Sequence, residues 1–203
     1  PIRIHALIVD LSEGRVEPIA VIAEDSPEED RNAVRTDPRR LARHPLLLAF
    51  INTNPWSPWS PTYPTHVTIS GLAASGGVIR SPHHGVSVWT DKQGRVFLGT
   101  PDEDADIQEG VGGFQQILKE TEVIVAQGGA IHPRTAIGIN EQGDRLYLVV
   151  ADGRQVGFSE GMTLGELALF MRELGCRDAA NMDGGGSSVM GIVDEDGDIK
   201  ILN

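Results

Sequence analysis

The chain has 203 residues, 40% of them hydrophobic and 23% charged, which is typical of one globular domain with a sizeable core. Its formal net charge of −12 makes nucleic acid and anionic membrane surfaces poor partners, because their phosphates bind clustered Lys and Arg. A small anionic or glycan substrate stays compatible with this charge, since a pocket can hold arginines against the overall field.

Cysteine content and apolar runs exclude two further classes. The single cysteine, Cys176, cannot form an intrachain disulfide, and no Cys/His grouping predicts a zinc site. The longest apolar run, Leu46 to Ile51, is far shorter than a transmembrane helix, so no membrane insertion is expected. The sequence does not indicate an oligomeric state.

The first fifty residues predict two strands, a short helix and a third strand. "IRIHALIVDL" alternates as strands do, and "RVEPIAVIA" predicts a second strand after an "SEG" turn. In "TDPRRLARH", Asp37 is a suitable N-cap and Pro38 a suitable first helical residue. "LLLAFIN" then predicts a buried strand.

A proline–tryptophan segment, "NPWSPWSPTYP", follows Asn52. Its prolines recur at every third position, which matches the three-residue turn of a polyproline II helix and predicts a stiff, extended loop outside any sheet. Trp56 and Trp59 then share one face. They suit stacking against a sugar, and packing onto the core is the alternative.

Strand–turn–strand patterns dominate the rest of the chain. They occur in "VSVWTDKQGRVFLG", "AIGINEQGDRLYLVV" and "SVMGIVDEDGDIKIL", with a shorter version in "VDLSEGRVEP". Helices are predicted in "GGFQQILKE" and "MTLGELALFMRELG". The second has a capping box of Thr163 and Glu166 and a terminating Gly175. We predict an α+β (mixed α/β) single domain, in which a few helices flank a largely antiparallel or mixed sheet built from hairpins.

A predicted strand, "CRDAANMD", leads into the glycine run "DGGGSS". Asp183 can reach into whatever the loop surrounds, and the N–H groups of Gly184, Gly185 and Gly186, with the Ser187 hydroxyl, can line an anion site. A tight turn closed by Asp183 is the equally open alternative. The run lacks the lysine and the glycine spacing of a phosphate-binding P-loop.

Three further clusters hold candidate site residues. Arg134 precedes a predicted strand, Asp152 and Arg154 flank Gly153 in a turn, and Asn52 ends a predicted strand. The ordinary alternative is a solvated arginine for Arg134 and a plain turn for Asp152 and Arg154. For the segment that begins at Asn52, it is a proline-rich cover whose tryptophans pack onto the core. His132 is interpreted as a loop histidine, and no metal site is predicted.

Together the clusters resemble one known family. The segments "HPRTAIGI", "VGGFQQIL" and "VADGRQVGFSEGMTLGELALFMRELGCRDAANMDGGGSSVM" are similar to the phosphodiester glycosidase family, nearly position by position over residues 132–190. The remainder is similar in the order of its elements. The resemblance implies one domain over 1–203 that hydrolyses a sugar-1-phosphodiester at the glycosidic C–O bond in glycan or glycoconjugate processing. It also implies an extracellular or periplasmic location. The chain departs from the family's Asn-Gly-Gly pattern after Asn52.

The resemblance implies a role for each candidate. Asp183 acts as nucleophile or base with Asp152 as a second carboxylate, and Arg134 and Arg154 supply positive charge for the leaving phosphate. Asn52, Trp56, Trp59, Gly184–Gly186 and Ser187 bind substrate. No cofactor is implied, and a divalent cation stays open. The alternatives are a non-catalytic glycan- or sugar-phosphate-binding module, a different hydrolase and a structural domain.

Overall fold

Antiparallel sheets make up most of the computed structural model, which describes residues 1–42, 45–59 and 65–203. The described residues contain two α-helices, α1 (Pro38–Leu41) and α2 (Leu164–Glu173), and one 3₁₀ turn, Gly185–Ser187. The strands in chain order are β1 (Ile4–Asp10), β2 (Ala33–Val34), β3 (Ala49–Ile51), β4 (Trp56–Ser57), β5 (His66–Ile69), β6 (Ala73–Ser75), β7 (Val78–Ser81), β8 (Ser87–Thr90), β9 (Val96–Gly99), β10 (Glu109–Gly112), β11 (Gln115–Lys119), β12 (Glu122–Val123), β13 (Arg134–Ile139), β14 (Arg145–Ala151), β15 (Asp178–Asn181), β16 (Met190–Val193) and β17 (Ile199–Ile201).

The central sheet has six strands in the order β1-β14-β13-β15-β11-β12, all paired antiparallel. Alternation along its strands gives it two apolar faces, as a sheet covered on both sides requires. Ala136 and Val149 belong to the core cluster under α2, whereas their neighbours Ile137 and Val150 belong to the opposite cluster.

Helix α2 covers the first of these faces. The Thr163 hydroxyl accepts from Glu166 N and the Glu166 carboxylate accepts from Thr163 N, so the predicted capping box is confirmed. Leu167 and Met171 are fully buried against the sheet. The helix lies so close that a Cβ on Gly138 of β13 would be 2.7 Å from Met171 Cε.

Three smaller sheets complete the fold. The five-stranded sheet β7-β6-β10-β8-β9 and the sheet β17-β16-β3 supply Val88 and Met190 to the second core face, and β2-β5-β4 is the third. The three predicted hairpins are confirmed as β8–β9, β13–β14 and β16–β17. The fold is therefore a sheet-rich domain with less helix than the predicted α+β class suggests.

Two predicted elements are wrong. "GGFQQILKE" forms strand β11 instead of a helix, because it pairs with β15 on one side and β12 on the other. "RVEPIAVIA" is not a strand: residues 16–22 alternate in exposure as strand residues do but have no partner strand among the described residues. The shorter hairpin predicted in "VDLSEGRVEP" is absent from the described residues for the same reason.

Two further predictions hold only in part. The strand predicted from Leu46 is limited to Ala49–Ile51, and Leu46 and Leu48 are 80% and 62% exposed. Trp56–Ser57 forms the short strand β4 against β5, where the sequence predicted a loop outside any sheet. Pro61 and Pro64, which extended the predicted polyproline segment, lie outside the described residues.

Candidate active site

Asp183 lies just beyond the end of β15, in the loop that joins the central sheet to β16. Its N–H donates to Thr53 O at 2.8 Å, and its carbonyl accepts from Asn52 Nδ2 at 2.7 Å. The loop is thereby held at both backbone groups of Asp183 by the segment that follows β3. This fixes the position from which the carboxyl group extends.

Asn52 holds three parts of the chain together at this point. Its Oδ1 accepts from Thr135 Oγ1 at 2.8 Å and from Val189 N at 3.0 Å, while its Nδ2 donates to Asp183 O. These bonds occupy most of the carboxamide, whose inventory is two N–H groups and one oxygen. Asn52 therefore positions the Asp183 loop, and its predicted contact with a sugar hydroxyl is restricted to the remaining N–H.

The first two glycines are required by close packing and by backbone conformation. A Cβ on Gly184 would be 2.8 Å from Pro133 O, and Gly185 has φ +62° with Arg154 Nη2 3.1 Å from the place of its Cβ. Both N–H groups are used inside the protein: Gly184 N donates to Asp183 Oδ1 and Gly185 N to Pro133 O.

Gly186 differs from its neighbours. Its Cβ position faces open space, and its N–H has no acceptor within the described residues. The predicted anion site of three glycine N–H groups is therefore reduced to one available donor. The other two fix the shape of the loop.

The Asp183 carboxyl is partly buried, and this burial raises its pKa above the ordinary aspartate value. Hydrogen bonds from the Ser187 hydroxyl and from Gly184 N act in the opposite direction, because they stabilise the ionised form. Raised pKa values are common among groups that transfer protons or attack a substrate.

A cluster of three basic side chains, His132, Arg134 and Arg154, lies beside the glycine loop. Burial, then the charges of Arg134 and Arg154, lowers the pKa of His132; burial, then Arg154, lowers the pKa of Arg134. Arg134 donates only to carbonyls, those of Met162 and Ala130. None of the three forms an ion pair with any carboxylate in the described parts of the chain, so the charges of Arg134 and Arg154 are available to an anion.

Arg154 is held close to the glycines by an unusual backbone. Its φ is +60°, in the left-handed region that non-glycine residues seldom occupy. Its Nη2 is 3.5 Å from His132 Nδ1, and its guanidinium covers Gly185. A strained backbone of this kind persists only where the surrounding structure holds it in place, and such residues are frequent at functional sites.

Most predicted site residues line one open groove between the central sheet and the segments before and after β3. The groove brings together Asn52, Trp56, Trp59, Arg154, Asp183, Gly184, Gly185, Gly186 and Ser187. Arg134 does not line it and contributes charge from beneath the loop, beside Arg154.

Asp152 is not part of this arrangement. Its carboxylate is only 6% exposed and lies 3.6 Å from His5 Nε2, away from the groove lining. Asp152 is thus buried and does not line the groove that contains Asp183. Its predicted role as second carboxylate therefore lacks the required access.

The two tryptophans differ in their surroundings. Trp56 is partly buried in β4 with the Arg35 guanidinium 5.9 Å above its ring, whereas Trp59 is 73% exposed. The exposed Phe114 also lines the groove and was not predicted. His132 and Thr135 were missed as well, although both flank the predicted Arg134. In the described ranges no group of three His, Cys, Asp or Glu side chains is arranged to hold a metal ion.

The sequence profile of one family, described as phosphodiester glycosidase, matches residues 62–203, and the chain belongs to this family. No curated protein matches it significantly. A solved structure similar in fold is the zebrafish N-acetylglucosamine-1-phosphodiester alpha-N-acetylglucosaminidase catalytic domain auto-inhibited by its pro-peptide. It has TM-score 0.68 and 18% identity over 98% of this chain and 75% of that chain.

Two more distant structures share the fold. A hypothetical protein from Synechocystis has TM-score 0.53 and 12% identity over 93% of this chain and 52% of that chain. A putative exported protein from Burkholderia pseudomallei K96243 has TM-score 0.51 and 13% identity over 98% and 74%. In the residues that the structure describes, no helix is long and apolar enough to cross a membrane.

Proposed function

We propose that the protein hydrolyses a sugar-1-phosphodiester by cleaving the bond between the anomeric carbon and the phosphate oxygen. Water supplies the oxygen that becomes attached to the sugar, and a phosphate monoester leaves with the bonding electron pair. The proton from water goes to a carboxylate or to the released phosphate. The leaving group is a stable anion, so it needs positive charge and N–H donors more than it needs an acid.

The observation that carries this proposal is that one groove is lined both by Asp183, which precedes the glycine loop, and by Arg154, whose guanidinium covers Gly185 of that loop. A carboxylate and a cation without an acidic partner, placed in one groove, suit an anomeric centre bonded to a phosphate. The cation attracts the phosphate, and the carboxylate stabilises the oxocarbenium-like carbon. Membership of the phosphodiester glycosidase family supports the same reaction type.

Each side chain at the groove has a proposed role. Asp183 is the nucleophile or the base that activates water. Arg154 and the N–H of Gly186 bind the phosphate. His132, whose Nδ1 is 3.5 Å from Arg154 Nη2, and Arg134 lie next to Arg154. Trp59, with Phe114, offers exposed aromatic surface to the sugar.

A non-catalytic sugar-phosphate-binding module is the second candidate, because the inaccessible Asp152 leaves one carboxylate beside the cations instead of two. An extracellular or periplasmic location is also part of the proposal. It is tested by fractionating cells that express the natural gene.

The direct test is sugar release by wild type and Asp183→Asn, on a panel that begins with N-acetylglucosamine-1-phosphodiesters, the substrate type named for the zebrafish protein. We expect the variant to lose roughly 10²- to 10⁴-fold in kcat, as removal of an acid–base group typically does. Asp104→Asn, at an exposed position, is the matched control.

Folding of each variant is checked by circular dichroism, and calorimetric titration measures binding separately from turnover. Equal turnover in a folded Asp183→Asn variant would exclude the assigned role. Tight binding of a sugar phosphate without turnover by the wild type would establish the binding module instead.

A further inference from the structure

Exposed apolar side chains are concentrated along the groove that contains Asp183. Of the fourteen large hydrophobic residues that the described structure exposes, seven line this groove. They are Ile8, Ile19, Val21, Leu46, Leu48, Trp59 and Phe114. Single exposed apolar residues scattered over a surface are normal in proteins. A group of them along one groove instead indicates a surface that binds an apolar partner.

The floor of the groove is apolar as well. Leu7 and Val9 of β1, Leu146 and Leu148 of β14 and Ile137 of β13 line it from the central sheet. Its walls are Val16–Ala23, the unpaired segment with strand-like alternation, and the residues around β3. We call this part of the groove the apolar trough.

The apolar trough runs along the strands, away from the candidate site. Met182 N donates to Thr135 O, which places Asp183 at the end of the sheet where β13 begins. Asp10 at the end of β1 pairs with Arg145, at the other end of the sheet. Strand β1 has seven residues, so the sheet floor is about 20 Å long at roughly 3.4 Å per residue.

Most charged side chains that line the trough are either paired within the protein or lie at the end of the trough that is farthest from Asp183. The Glu109 carboxylate accepts from Ala20 N and Gly76 N, and Asp37 is paired with Arg39. Further charged side chains of the lining are Arg35, which lies over Trp56, and the group next to the end of β1: Asp10, Arg15 and Glu17. Arg154, the available cation near the glycine loop, therefore lines the same groove as the apolar surface.

We propose that the natural substrate is a phosphodiester of a sugar with a long apolar alcohol, whose alkyl or isoprenoid chain lies in the apolar trough. This inference rests on the proposed function. Arg154 and Gly186 hold the phosphate, and the chain extends from it over the sheet floor, along the exposed side chains of Val21 and Leu48. Hydrolysis then yields a free sugar and an alkyl phosphate, by the same C–O cleavage. Burial of the chain removes apolar surface of both partners from water.

The test is a series of diesters with one sugar and methyl, hexyl or decyl aglycones, used below their micelle-forming concentrations. We expect kcat/KM to rise about twofold or more per added methylene, which is below the limit set by full burial of a CH₂ group. A flat dependence on chain length, with measurable turnover, would overturn the inference and leave the proposed function intact.

Trough variants locate the effect. Val21→Ser and Leu48→Ser change exposed trough residues, so neither removes core packing. We expect each to lower the decyl-to-methyl ratio of kcat/KM several-fold. Val78→Ser and Ile124→Ser are the matched controls, because both residues are exposed and lie outside the trough, and the ratio should stay at the wild-type value. Equal ratios in trough and control variants would contradict the assignment.

A binding measurement separates this inference from the proposed function. If no diester of the panel is cleaved, the proposed function fails, and decyl phosphate and methyl phosphate are compared by calorimetric titration. Tighter binding of decyl phosphate with a negative heat-capacity change, lost in Leu48→Ser, would support the trough. Equal binding of the two phosphates would overturn the inference. A dimer in sedimentation equilibrium that Leu48→Ser dissociates would also overturn it, because the trough would then be an interface between two copies of the chain.

Discussion

At the scale of single residues, the site combines groups that oppose stability. Asp183 has a carboxyl that burial makes harder to ionise, and Arg154 has a left-handed backbone beside two other basic side chains. Such groups persist where binding or catalysis requires them. The residues that hold them, Asn52 and Thr135, are bonded to each other and Asn52 also to the Asp183 loop, so they act on the site mainly through position.

The raised pKa of Asp183 predicts a pH-dependent gain of stability in Asp183→Asn. The folded protein binds the carboxyl proton more tightly than the unfolded chain does, so wild-type stability falls as pH rises from the unfolded pKa through the folded one. Asparagine does not ionise and avoids this loss. We expect the variant to have a Tm higher on the order of 2 °C at pH 7 and an equal Tm near pH 3, measured by calorimetry.

An unchanged Tm difference across this pH range would show that the Asp183 carboxyl has an ordinary pKa in the folded protein. Asp104→Asn again serves as control, since its side chain is exposed in the described structure.

At the scale of elements, the glycine loop has two parts with different tasks. Gly184 and Gly185 allow the loop to lie against Pro133 and under Arg154, and their N–H groups are used internally. Gly186 is in open space with a free N–H within the described region. The run of three glycines is therefore a packed turn followed by one position that faces the groove.

Alanine at the two kinds of position should have different consequences. Gly184→Ala places a Cβ 2.8 Å from Pro133 O, and we expect a loss of about 1–3 kcal/mol in the free energy of unfolding. Gly186→Ala meets no atom within 4 Å and should stay within about 0.5 kcal/mol of wild type. Chemical denaturation of both variants measures the difference, and equal losses would contradict this account of the loop.

Elements with local signals were predicted from the sequence, and elements defined by distant pairing were not. The capping box of α2 and the Gly-containing turns of three hairpins are determined by neighbouring residues, and all are present. Whether "GGFQQILKE" and "RVEPIAVIA" form strands depends on whether a partner strand lies alongside. The periodicity of a segment carries no information about such a partner.

The same limit applies to the site. Asp183, the glycines and Arg154 were predicted from motif and resemblance, and they share one groove. Asp152 was chosen for its type and turn, but the pairing of β1 with β14 places its carboxylate next to His5. His132 became significant only through its distance to Arg154.

At the scale of the whole molecule, a sheet-rich domain with an overall charge of −12 holds three basic side chains close together at one end of its central sheet. The basic cluster at His132, Arg134 and Arg154 is held where the ends of β13 and β14 meet the glycine loop, and the apolar trough extends from there. We propose that this arrangement cleaves the bond between the sugar and the phosphate oxygen.

The most direct measurement is hydrolysis of a sugar-1-phosphodiester in ¹⁸O-labelled water, followed by mass spectrometry of both products. We expect one ¹⁸O atom at the anomeric position of the released sugar and none in the phosphate monoester. Label is to be read at early times, before the free sugar exchanges its anomeric oxygen with the solvent, and unlabelled sugar incubated alone corrects for exchange. Label in the phosphate would show P–O cleavage and contradict the account.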